Sequence, residues 1–148
     1  EQIVTPQLMK YVESGDLKIY FKDFQFLGND SMEAALYAHA LWESQPSKFH
    51  EWYVAMYAAQ DEEGDEGFGD MASIKKLAAT IPGLDVAKVD ALLASNSAKY
   101  EQTITAGRTE GASMGINGTP SIVIGKQLLT GLTPDQYVAS IIAEIEGN

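Results

Sequence analysis

Cysteine is absent from the 148-residue chain. That absence excludes disulfides, thiolate metal sites and cysteine nucleophiles from these residues. Basic residues are scarce: ten Lys and Arg against 21 Asp and Glu give a formal net charge of -11. Nucleic acids and anionic membrane surfaces attract basic patches, so neither is an expected partner. No stretch approaches the roughly 20 apolar residues that cross a bilayer. The first residues also lack the basic-then-apolar pattern of a signal peptide. The chain opens in the middle of a helical pattern, Glu1-Gln2-Ile3-Val4-Thr5-Pro6, as expected of a processed protein or a piece of a longer one.

The remaining composition is that of a globular domain, 45% hydrophobic, and the length suffices for a real core. Leu8, Tyr11 and Val12 recur at helical spacing before Ser14-Gly15, where glycine can stop a helix. Leu17, Ile19 and Phe21 then alternate with Lys18, Tyr20 and Lys22, a period of two that predicts a half-buried strand. Asp30 followed by Glu33 predicts a capped helix start. Pro46-Ser47 opens a helix whose aromatic stripe is Phe49, Trp52, Tyr53 and Tyr57. Helices are expected from Asp70 and Asp85, and Ser97 is expected to cap another that carries Gly107 and Gly111 packed closely on a sheet.

Near the C-terminus, Ile122 to Ile124 predicts a strand and Gly125-Lys126 a two-residue hairpin turn, with Leu128-Leu129 as the returning strand. Thr133-Pro134-Asp135-Gln136 is a capping box with proline at the first helical position. Val138, Ile141, Ile142 and Ile145 give that last helix its buried face.

Few residues advertise chemistry. His39 falls among Ala35, Leu36 and Trp42, as expected of a hydrogen-bonded, partly buried histidine. His50 is expected on the solvent side. The two lie on different helices with no cysteine between them, which does not make a zinc site. The acidic run from Asp61 to Asp70 has Glu66 where a calcium loop of the EF-hand kind needs glycine, so it reads as a solvated loop. Neither a metal nor a cofactor is expected, and no catalytic residue is assigned.

The segment Gly115-Ile116-Asn117-Gly118-Thr119-Pro120-Ser121 leads into the apolar run Ile122-Val123-Ile124. Proline at the mouth of a strand is unusual, because it cannot donate to a sheet ladder. This entry, with the hairpin, Gly131, Gly83-Leu84-Asp85 and the Asp23-Phe24 after the first predicted strand, resembles the DsbA family of thiol-disulfide oxidoreductases. The resemblance covers nearly the whole chain. One departure is Gln25, where the family often has proline.

The resemblance implies an α/β chain with a thioredoxin-like fold and a helical insertion. Residues 1–30 and 114–148 would form the core, and residues 31–113 the insertion. It implies a first strand and a Cys-X-X-Cys pair before Glu1. Without that strand, a gap lined by Ile19, Phe21 and Val123 would lie between the Leu17–Phe21 strand and the Ile122–Ile124 strand. It implies a cis bond between Thr119 and Pro120, with Gly118, Thr119 and Pro120 binding an extended polypeptide substrate. It further implies exchange of disulfides in extracytoplasmic polypeptides and a redox partner protein. Lacking the thiol, the chain as it stands would be redox-inactive. The alternative is a cysteine-free thioredoxin-fold module that binds peptides or acts as a chaperone. A glutathione-transferase-like enzyme is weaker, since no glutathione contacts are visible.

Overall fold

A computed structural model of the chain describes residues 4–60 and 68–147. Most of the acidic run, residues 61–67, lies outside the described residues. The chain divides into two compact units, Glu1–Lys22 with Thr109–Asn148, and Asp23–Arg108.

The second unit is helical. It holds α2 (Asn29–Ser44), α3 (Pro46–Ala59), α4 (Met71–Ala78) and most of α5 (Val86–Ser113). Its core gathers Tyr37, Leu41, Trp52, Ile74, Val89, Tyr100 and Ile104, one to three from each helix. Tyr37 and Trp52 pack with ring centroids 5.5 Å apart. Pro46 opens α3 at its first turn, where the missing amide costs nothing. The Asp70 carboxylate accepts from the Ser73 amide at 2.7 Å and so caps α4. Asp85 does the same for α5 through the Lys88 amide at 3.1 Å. The Gln45 side chain reads Asp85 from both sides, accepting from its amide at 2.9 Å and donating to its carbonyl at 3.0 Å.

Three local expectations need correction here. Asp30 and Glu33 do not form a capping box: α2 begins one residue after Gly28, with no side-chain cap. Glu33 is drawn away to accept from the backbone amide of Met71. Ser97 does not start a helix, because α5 runs unbroken through it for 28 residues. No glycine or proline interrupts Val86 to Ala106, so nothing stops the helix there. Gly107 does pack closely, but against the carbonyl of Asp23, 3.6 Å from where a Cβ would lie, and not against a strand.

The first unit contains α1 (Val4–Ser14), the end of α5, the antiparallel pair β1 (Ser121–Ile124) and β2 (Gln127–Thr130), and α6 (Pro134–Glu146). Ile122 faces Leu129 and Ile124 faces Gln127 across the hairpin. The turn residue Gly125 has φ +57, the left-handed conformation a two-residue turn needs. Leu8, Val138 and Ile141 form the core, joined by Tyr11, Leu17, Ile19, Ile122, Ile124, Ile142 and Ile145. The Thr133 box closes as expected: Thr133 Oγ1 accepts from the Gln136 amide at 3.4 Å, and Gln136 Oε1 accepts from the Thr133 amide at 2.9 Å.

Leu17 to Phe21 is not a strand, which corrects the period-two expectation. The alternation itself survives, with Leu17 and Ile19 half-buried and Lys18 and Tyr20 exposed. The sheet of the described residues has two strands, β1 and β2, and neither pairs with Leu17–Phe21. A strand exists only through its partner's hydrogen bonds, so the pattern alone cannot make one. Phe21 and Val123, two of the residues expected beside the gap, are 53% and 44% exposed.

Histidine and charge settle at the edges of the helical unit. His39 Nε2 lies 3.1 Å from Asp23 Oδ2, and its ring stacks on Tyr100. His50 is exposed. Glu43 accepts from Lys99 at 2.9 Å and from the Tyr100 hydroxyl at 3.1 Å. Those bonds, Lys99 first, hold the Glu43 carboxyl below its usual range. The Tyr37 hydroxyl, in contrast, is pushed up to about 12, first by burial and then by the charge of Asp90.

Three outcomes follow from these contacts. A depressed carboxyl contributes stability that is present above its unfolded value, 4.5, and lost as pH falls through the folded value. Denaturant titrations below pH 4.5 are therefore expected to show a shallower acid loss in Glu43→Gln than in the wild type. For Tyr37 the sign reverses. Its contribution is intact below about 10 and lost toward 12, so Tyr37→Phe should hold its stability further into alkali, as read from unfolding midpoints across that range. Removing the cap with Thr133→Ala should lower unfolding stability by about 0.5–2 kcal/mol.

Candidate functional site

The Thr119–Pro120 loop is placed by its two flanks. Upstream, α5 ends where Gly115 turns with φ +84, and the Ile116 amide bonds the Gly111 carbonyl at 3.0 Å. Downstream, Ser121 begins β1, opposite Thr130 of β2. The loop is thus hung between a helix end and a hairpin. The Thr119–Pro120 peptide bond is cis.

Two side chains tie the loop down. Ser121 Oγ donates to the Gly118 carbonyl at 2.6 Å. The Tyr137 hydroxyl, from the first turn of α6, donates to the Pro120 carbonyl at 3.2 Å. Tyr137 is 3% exposed and belongs to the same helix face as Val138 and Ile141. The carbonyls on both sides of Thr119 are therefore occupied. Thr119 itself is exposed, and among the described residues its amide and carbonyl make no hydrogen bond.

A cavity of about 230 Å³ opens beside this loop, lined by residues 117–121 together with Thr130, Gly131, Leu132 and Tyr137. None of these lining residues is charged. Its walls are glycine backbone, small hydroxyls, one amide side chain and the apolar bodies of Pro120, Leu132 and Tyr137. Such a lining suits an uncharged side chain, since a charge entering it would lose water without gaining a partner. The structure so brings Gly118, Thr119 and Pro120 together on one accessible surface. Sequence reading missed Ser121, Thr130, Leu132 and Tyr137 as neighbours of that surface. A signal existed for Tyr137 alone: it precedes Val138 on the buried stripe and carries a hydroxyl that needs a partner when buried.

The loop holds no thiol. The chain has no cysteine. Among the described residues no three or more His, Asp or Glu side chains gather as metal ligands, and no helix is long and apolar enough to cross a membrane.

Comparison with known proteins gives this geometry its family. A thioredoxin family model matches residues 1–143. The probable disulfide bond formation protein D of Bacillus anthracis is 24% identical over 126 residues, which is 84% of this chain and 57% of that protein. Its Bacillus cereus counterpart matches with the same identity and the same coverage. The chain thus spans 57% of the length of these curated relatives. Among solved structures, the thiol-disulfide exchange protein alpha-DsbA2 from Wolbachia pipientis superposes with a TM-score of 0.76 at 25% identity, covering 94% of this chain and 72% of that one. Oxidised BdbD from Bacillus subtilis superposes with a TM-score of 0.78 at 20% identity, covering 97% and 77%, and shows the shared fold. A helix-rich α/β chain whose hairpin and final helix frame a Thr-Pro loop, matched over almost its whole length, belongs to the thioredoxin family and to its DsbA-like members.

Proposed function

We propose that the chain is the polypeptide-binding part of a DsbA-like thiol-disulfide oxidoreductase that acts on extracytoplasmic polypeptides. On this reading residues 1–30 and 114–148 form the thioredoxin-like core, and 31–113 an inserted helical region. Gly118, Thr119 and Pro120 receive the substrate. The observation that carries the reading is the unpaired backbone of Thr119, exposed between two carbonyls that Ser121 and Tyr137 already occupy. An extended peptide that offers its own amide and carbonyl there would satisfy both groups at once, the pairing used when a strand joins an edge. The uncharged cavity beside the loop would take one neighbouring side chain of that peptide.

The exchange step needs a thiolate to attack a substrate disulfide. This chain has none, so its share of the reaction is binding and orientation. A redox partner protein would belong to the whole oxidoreductase. The same lack of cysteine favours a second reading, a thioredoxin-fold module that binds polypeptides and does no redox chemistry. The coding sequence upstream of Glu1 separates the two: a strand pattern ending in Cys-X-X-Cys supports the first, and its absence the second.

Binding itself is tested by adding an unfolded, disulfide-free peptide to the isotope-labelled chain. The amides of residues 117–121 should shift, and the Thr119 amide should gain protection from hydrogen exchange. Unmoved resonances there at millimolar peptide would remove the proposal. The pure chain should meanwhile reduce no insulin disulfide, and any thiol-dependent turnover by it would contradict the assigned role.

A further inference from the structure

We infer that Tyr137 is a positioning residue for this surface: its hydroxyl, bonded to the Pro120 carbonyl, fixes the direction in which the Thr119 amide and carbonyl face. The inference rests on the peptide-binding reading only for its functional consequence. Its structural part stands on the contacts themselves.

The geometry supports a clamp and not merely a filled core position. The ring of Tyr137 is buried, as its neighbours Val138 and Ile141 are. Its hydroxyl, however, reaches out of the apolar cluster to a loop carbonyl 17 residues away in sequence. A phenylalanine would fill the same volume, so the hydroxyl is not required for packing. What it adds is direction. The Pro120 carbonyl is the acceptor that follows Thr119, and the Gly118 carbonyl, held by Ser121 Oγ, is the one that precedes it. With both fixed, rotation of the Thr119 backbone would break one of the two bonds. Preorganised donors and acceptors bind an incoming partner more tightly because less motion is lost on binding.

Tyr137 is itself well held. It sits in the first turn of α6, and its amide bonds the Thr133 carbonyl at 3.0 Å. Thr133 is the residue whose side chain closes the capping box. The helix start, the tyrosine and the loop therefore form one chain of contacts, running from Thr133 through Tyr137 to Pro120. Tyr137 also lines the cavity beside the loop, so one residue both shapes the cavity and aims the backbone next to it.

The test compares the wild-type chain with Tyr137→Phe and Val138→Ala, by amide resonances and by affinity for the unfolded, disulfide-free peptide. Tyr137→Phe deletes the hydroxyl and keeps the ring. Val138→Ala weakens the same helix face and keeps the hydroxyl. Tyr137→Phe is expected to broaden or move the amides of Thr119 and Ser121 while the amides of α1 stay in place. It should also weaken peptide binding about fivefold, the loss expected for one neutral hydrogen bond. Val138→Ala should lower the melting temperature with the loop amides and the affinity of the folded chain unchanged. Loop amides that keep their wild-type positions in Tyr137→Phe overturn the inference. So does a Val138→Ala chain that disturbs them to the same extent, since that would mean general loosening. If Tyr137→Phe moves the loop amides but even the wild type binds no peptide, the clamp stands and the peptide-binding reading falls. If Tyr137→Phe does not fold, the wild type still decides: in mixed H2O and D2O the Tyr137 Cζ carbon should give two resolved signals, the mark of a slowly exchanging, hydrogen-bonded hydroxyl, and a single averaged signal overturns the clamp.

Discussion

Burial of the apolar stripe on α6 is the interaction from which the first unit hangs. Val138 and Ile141 meet Leu8 of α1, and Ile122 and Ile124 of the hairpin close over the same cluster. A hairpin of two four-residue strands is marginal by itself in water. Here it is held because one face is pressed on a capped helix. The Thr119–Pro120 loop inherits its position from that arrangement, since it joins directly to β1 and is bonded to α6 through Tyr137. Removing the helix face would leave the loop sequence intact and its geometry undefined.

The second unit is organised differently. Its aromatic and aliphatic side chains form one cluster across four helices, and polar contacts trim the boundary. Gln45 fastens the junction of α2 and α3 to the start of α5 by two bonds from its side chain to the Asp85 backbone. Glu43 collects Lys99 and Tyr100 at the rim. These rim contacts are exposed, so they select an arrangement more than they stabilise it. The buried side chains, Tyr37 and Trp52 among them, carry the larger share through removal of apolar area from water.

What was legible in the sequence was what a few adjacent residues decide. The Thr133 box, the Pro46 start, the Asp70 cap and the Gly125-Lys126 turn each depend on neighbours within four positions, and each occurs as read. The resemblance to DsbA-like proteins was legible because order and spacing along the whole chain agreed with it. Distant contacts decided two of the misses. Glu33 was diverted by the amide of Met71. The Leu17–Phe21 segment kept its alternation but is not part of the sheet of the described residues. Ser97 could have capped a helix, yet the residues before it continued one. Within the candidate site, Gly118, Thr119 and Pro120 were visible as a motif, while Tyr137 entered only through a contact that sequence spacing does not show.

The division of the chain has a consequence for its synthesis. Residues 23–108 are contiguous and precede the hairpin, so they are synthesised before it. The second unit is helical and draws on no residue outside that stretch for its core, which favours early folding. The first unit is split between the two ends, and α1 must wait for α6 before Leu8 can be covered. During that interval Leu8 and its apolar neighbours are open to whatever polypeptide or chaperone is near. The slow, exposed step in making this protein therefore belongs to the unit that bears the Thr119–Pro120 loop, and mutations that weaken α6 should cost yield before they cost anything measured on the purified chain.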